Sequence, residues 1–215
     1  MTIPQMQAAI GVWDTIRNTE QGYYYLVSGL GFSFDKSNYQ QWPSNTTTIY
    51  CHLGVWNAKL IFILTTVEDP TLMTELDTFA LNFHSEVKYT ANLSNSLPGM
   101  NSVIPKSEAL NQVLYWLVYS NDWFDLQIAN NWGIMKYVKI DYSDFTAVFA
   151  NNVNDLVSFF GIGERDMNEG VETPDMKAVT SIILCSKPSL VAQDNTLPTL
   201  VFADVTTPVP PFNPI

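Results

Sequence analysis

Charge is scarce in this sequence. Lys, Arg, Asp and Glu make up 14% of its 215 residues, where globular chains average about 25%. Cations are scarcest: Lys and Arg together number 10 against 21 acids, only Arg17 and Arg165 are arginines, and the net charge is −11. Binding to nucleic acid or to an anionic membrane surface depends on Lys and Arg neutralising phosphates. No basic stripe is present to do this, which argues against nucleic acid as a partner.

Histidine is nearly as rare. His52 and His84 are the only two, and neither stands in the His-x-x-x-His or Cys-x-x-Cys spacing of a zinc site. His84 with Glu86 is the nearest approach to a ligand pair, and no metal site is expected. Glycine patterns that cradle phosphates are also missing. Gly29-Leu30-Gly31 lacks the third glycine of a dinucleotide fingerprint, and Ala58-Lys59 has no glycine-rich approach. No nucleotide or other cofactor is expected.

Cys51 and Cys185 each sit in an apolar, strand-like run and are expected as buried free thiols. A nucleophile needs a base and an orienting acid beside it. Gly-x-Ser-x-Gly is absent, and Val27-Ser28-Gly29 lacks the first glycine of that elbow. Cys51 adjoins His52, but strand neighbours point to opposite faces. The longest apolar runs, such as Leu60 to Leu64, are too short to span a bilayer. The opening Met1-Thr2-Ile3-Pro4-Gln5 has no signal-peptide pattern. Together these point to a cytoplasmic protein, although an exported form with its signal removed would read the same way.

Apolar residues, by contrast, are plentiful: hydrophobic types are 47% of the chain, with 6 Trp, 10 Tyr and 12 Phe. A chain of this mass exposes roughly 10,000 Å² folded against roughly 35,000 Å² unfolded. That composition can bury the difference without metals or disulfides. Asn, Thr, Ser and Gln number 60 against 31 charged residues, so neutral polar groups cover much of the exterior. Subunit interfaces are depleted in charge and enriched in aromatics, and a homo-oligomer is expected.

Helical spacing of Met6, Ala9, Ile10, Trp13 and Ile16, with Pro4 at the start, predicts a first helix. Tyr23 to Phe34 reads as extended, with Gly29 and Gly31 as a bend. Thr46 to His52 and Lys59 to Val67 read as strands joined by a turn over Gly54 to Asn57. Asp69-Pro70 predicts a helix start, with Leu72, Met73, Leu76, Phe79, Ala80 and Phe83 as its stripe. Glu86 to Leu93 reads as a strand and 92–106 as a loop. Ser107 caps a helix whose buried face is Leu110, Val113, Leu114, Leu117 and Val118, with a break near Ser120 to Asp122. Gly133 to Tyr142 reads as a strand. A fourth helix runs from Ser143 through Phe145, Val148, Phe149, Leu156, Phe159 and Phe160 to Gly161. Met176 to Ser186 and Thr199 to Val205 are the last strands. The expected fold is therefore a single α+β domain, residues 1–207, with a mainly antiparallel or mixed sheet packed against about four helices. A Pro-rich tail, 208–215, follows and is compatible with polyproline II.

Three groups of residues are candidates for function. Asp122 and Asp125, three apart beside Trp116 and Trp123, form a carboxylate pair suited to acid–base work. Trp42, Trp56, Trp123 and Trp132 stand near Asn, Pro or Gly in loop-like contexts, and would make an apolar–polar surface for protein or carbohydrate. Glu164, Asp166, Glu169, Glu172 and Asp175 form an acidic loop without the spacing of a calcium site. The reading that results is a non-catalytic binding or interaction protein that self-associates. A hydrolase with a dispersed carboxylate site is the alternative, and a structural subunit of a phage or secretion assembly is the second.

Overall fold

The computed structural model describes residues 1–29, 31–82, 106–149, 155–162, 180–187, 202–205 and 208–209. Its first element is the expected helix, α1 (Ile3–Ile16), which buries Met6, Ala9, Ile10 and Trp13. Gln5 Oε1 accepts from the Thr2 backbone N–H at 2.9 Å, satisfying one of the donors a helix start leaves open.

The next segment departs from expectation. Tyr23 to Val27 lie in a helix, α2 (Glu20–Val27), not in a strand. Thr19 caps it by accepting from the Gly22 N–H at 3.4 Å. Gly22 and Leu26, one turn apart, go inward while Tyr24 is 68% exposed. Tertiary packing of that pair outweighs the β preference of the aromatic run. Only Ser33–Asp35 (β1) is extended, followed by the short α3 (Lys36–Tyr39).

The hairpin is present with a shifted turn. β2 (Thr48–Trp56) and β3 (Lys59–Thr65) pair antiparallel from Tyr50↔Thr65 to Trp56↔Lys59. Asn57 and Ala58 both have positive φ, 50° and 56°, as a two-residue type I′ turn requires. Gly54, expected in the turn, lies within the strand. It lets α1 approach closely, since a Cβ there would stand 3.1 Å from the Cβ of Ala9.

The helix expected from Asp69 is absent. Asp69 does accept from the Thr71 N–H and hydroxyl, but the result is one 3₁₀ turn, Pro70–Leu72. The hydroxyls of Thr66, Thr74 and Thr78 donate to the Asp77 carboxylate, which holds this stretch as a turn. Leu72 and Leu76 of the supposed apolar stripe are 64% and 81% exposed. Phe79–Asn82 then forms strand β4 beside β3. The strand expected over 86–93 lies outside the described residues.

α4 (Lys106–Ala129) runs unbroken through the expected break. β5 (Tyr137–Asp141) and α5 (Tyr142–Phe149) follow. The fourth helix stops at Phe149, and its expected second half is strand β6 (Asp155–Ile162). Leu156 to Ile162 are all buried, so both sides of this segment meet protein, which suits a central strand better than a one-sided helix. β7 (Thr180–Lys187), β8 (Phe202–Val205) and the two-residue β9 (Pro208–Val209) complete the chain. β9 falls in the expected tail and pairs with β5 through Tyr137↔Val209.

The α+β class is as expected, but there are two sheets. One has the order β4-β3-β2-β5-β9 and the other β1-β6-β7-β8. Every pairing between described strands is antiparallel. In the first sheet Cys51, Leu53, Leu60, Phe62, Leu64, Val138 and Ile140 enter the main core. The Phe62 ring lies 5.0 Å from Phe32 and 5.6 Å from Phe160, and Phe160 lies 4.9 Å from Trp116. These rings join both sheets to α4. On the opposite face Ile61 and Ile63 meet Met6, Ala9 and Ile10 of α1 and Met73 in a smaller cluster.

Candidate functional site

α1 covers only part of the outer face of the first sheet. Strand pairing places Trp56 opposite Lys59, Ile61 opposite Asn82, and Ile63 opposite Ala80, so these side chains share one face. Where α1 begins, that face is left open as a recess of about 350 Å³ lined by Met1, Trp56, Asn57, Lys59, Ile61, Ala80, Leu81 and Asn82. Trp56 is half-buried against the smaller cluster. The side chains of Asn57, Lys59 and Asn82 make no hydrogen bond or ion pair with other described residues. The recess thus combines one indole, aliphatic walls and three polar groups not engaged elsewhere.

A second polar group lies farther along the same face. Tyr137 donates its hydroxyl to Glu68 Oε1, and Lys139 Nζ lies 3.6 Å from the same oxygen and 5.6 Å from the Tyr50 ring. His52 packs 5.0 Å from the Tyr137 ring, its Nε2 3.5 Å from Val67 O. Burial pushes the His52 imidazole below its ordinary pKa, against the weaker pull of Asp14, Glu68 and Asp69. Burial and the Glu68 contact push the Tyr137 phenol up, and the same hydrogen bond draws Glu68 down. His52 is 2% exposed, which leaves a substrate no approach to its ring. Cys51 belongs to the main core, on the other side of the sheet, and burial pushes its thiol up. The two therefore form no dyad. Beside it, Asp14 on α1 reaches Lys136, the residue before β5, at 3.5 Å and Arg17 at the end of α1 at 3.4 Å, which ties α1 to the chain entering β5.

The carboxylates of Asp122 and Asp125 are both exposed on α4, and Asn121 Nδ2 donates to Asp125 Oδ2 at 3.3 Å. The rings expected beside them, Trp116 and Trp123, are 2% and 4% exposed and meet each other at 5.6 Å. No indole is presented next to the carboxylates for a sugar to stack on. Of the four tryptophans expected at the surface, Trp42 and Trp123 are core residues. Trp42 donates its indole N–H to Asp77 O at 2.9 Å and stacks on Phe34 at 5.0 Å. Trp56 and Trp132 are half-buried. The acidic residues Glu164, Asp166, Glu169, Glu172 and Asp175, and His84, lie outside the described residues. No cluster of three or more metal-ligating side chains occurs among the described ones.

α4 differs most from expectation. Its inward residues are Ala109, Gln112, Val113, Trp116, Ser120, Trp123, Phe124 and Gln127, a regular helical stripe. Leu114, Leu117 and Val118, read from sequence as buried, are 54%, 51% and 66% exposed, with Tyr119 beside them at 38%. The helix is apolar on two sides, and the larger tryptophans take the inner one. Their spacing of seven, Trp116 to Trp123, was the signal for the true face.

No known protein family, curated protein or solved structure matches this chain.

Proposed function

We propose that this chain is a non-catalytic interaction protein that self-associates through the outer face of α4. The observation that carries the reading is the contiguous apolar patch of Leu114, Leu117, Val118 and Tyr119 on a helix already packed on its other side. Such a patch is on the order of a few hundred Å², the size at which exposed apolar surface marks an interaction site. A stable interface needs about 800 Å² from each partner. The patch alone is smaller than that, so the expected contact is a weak, concentration-dependent dimer, on the order of micromolar.

Charge sets the character of the contact. Along α4 the acids Glu108, Asp122 and Asp125 outnumber one cation, Lys106 at the helix start. Acids thus flank the apolar centre at both ends, and each copy has a net charge of −11. Like charges oppose the contact and apolar burial drives it. Light scattering over a concentration series tests the reading: unaltered protein shifts from monomer toward dimer, and Leu117→Asp stays monomeric. Protein that is monomeric at every concentration would refute it.

A further inference from the structure

We propose that the recess beside Trp56 is a binding site for an acidic saccharide, a pyranose ring carrying a carboxylate. The site goes beyond self-association and uses none of the α4 residues. It exists because α1 stops short. Ala9 seals the sheet at Gly54, and Ile61 beyond it is buried under α1, but Trp56, Lys59, Ala80 and Asn82 at the end of the same strip keep accessible surface around that floor. Trp56 closes β2 at a tight turn, and the positive φ of Asn57 and Ala58 fixes its position relative to Lys59.

The lining matches a sugar in three respects. The indole offers an apolar face for the C–H side of a pyranose. The amides of Asn57 and Asn82 each supply donors and an acceptor for neighbouring hydroxyls, and neither is engaged by described residues. Lys59 provides the charge preference. Lys36 donates to Phe149 O at 3.0 Å, Lys136 reaches Asp14 and Lys139 reaches Glu68, whereas Lys59 has no oxygen partner among the described residues. In so acidic a protein an ammonium at a recess, with no partner among the described residues, is where a carboxylate would settle.

The magnitudes are modest. The recess is at the small end of ligand pockets, which run from about 300 to 1,000 Å³, and suits one ring. A single ring held by few contacts binds in the millimolar range. One exposed ion pair favours the acidic over the neutral sugar by roughly two- to five-fold.

The test is two-dimensional NMR of the ¹⁵N-labelled full chain, following the Trp56 indole N–H, assigned through Trp56→Phe. The chain is titrated with glucuronic acid and with glucose. Glucuronic acid shifts the Trp56 resonance with a millimolar dissociation constant, and glucose binds two- to five-fold more weakly. Lys59→Gln narrows the gap between the two sugars, and Asn82→Asp weakens glucuronic acid further. Both substitutions are at exposed positions and leave the fold in place, while Leu117→Asp leaves the titration unchanged. The proposal is overturned if neither sugar moves Trp56, or if unaltered protein responds equally to both.

Discussion

Trp116 and Trp123, seven residues apart on α4, meet ring to ring at 5.6 Å on the buried side of the helix. That contact sets the rotation of the helix, and with it which apolar residues are left facing out. Trp116 also lies 4.9 Å from Phe160 of β6, so the same ring anchors α4 to the second sheet.

The two faces of α4 therefore respond differently to substitution. Trp116→Ala opens a cavity in the main core and costs about 3–5 kcal/mol. Leu117→Asp, at a half-exposed position, costs no more than about 0.5 kcal/mol. Urea unfolding of each variant checks the contrast. Equal losses would mean that the helix is not rotated as described.

Two glycines give a second contrast. A Cβ on Gly31 would stand 2.1 Å from Ser158 O, in backbone that cannot yield, where Ser158 Oγ accepts from the Phe32 N–H at 2.7 Å. Gly31→Ala separates β1 from β6 and destabilises by more than about 3 kcal/mol, by the strain of overpacking together with the lost buried hydrogen bond. Gly11, exposed on α1, has open space at its Cβ, and Gly11→Ala stabilises by about 0.5–1 kcal/mol through helix propensity. Thermal unfolding checks both signs.

His52 couples stability to pH. Its folded-state pKa lies below the ordinary value because burial disfavours the charged ring. The unfolded chain therefore binds the extra proton first, and stability is full above about pH 6.5 and falls as pH drops below it. The carboxylates drawn down in the fold, Glu68, Asp69 and Asp77, act in the same direction but only nearer pH 4. Urea midpoints between pH 7 and pH 5 decline for the unaltered protein, and less steeply for His52→Phe. Identical slopes would rule out a buried neutral imidazole.

Local chemistry made some elements legible. Pro4 and the stripe Met6–Ala9–Ile10–Trp13 define α1 as it is found, because start signal and periodicity agree. The two long strands of the hairpin were legible for the same reason. Elsewhere local preference and packing disagree. Tyr23 to Val27 favour a strand but form α2 around Gly22 and Leu26, and Phe159-Phe160 continue a helical spacing but lie in β6. Asp69-Pro70 is a sound helix start whose continuation is taken over by threonines bonded to Asp77. The recess shows the same division: Trp56 was legible as a candidate from its neighbours, whereas Lys59, Ile61, Ala80 and Asn82 join it only through strand register. On α4 both faces are apolar, and sequence spacing read them as one wide buried face: Val113 and Trp116 are buried as expected, whereas Leu114, Leu117, Val118 and Tyr119 are not.

Sedimentation equilibrium of the unaltered protein at two ionic strengths tests self-association through α4 most directly. Raising salt from about 0.1 to about 1 M shortens the screening length from about 10 to about 3 Å, which weakens repulsion between two acidic copies and leaves apolar burial intact. The account predicts a monomer–dimer equilibrium in the micromolar range that tightens with salt and is abolished by Leu117→Asp. A chain that stays monomeric at both salts, or a dimer that Leu117→Asp leaves untouched, would contradict it.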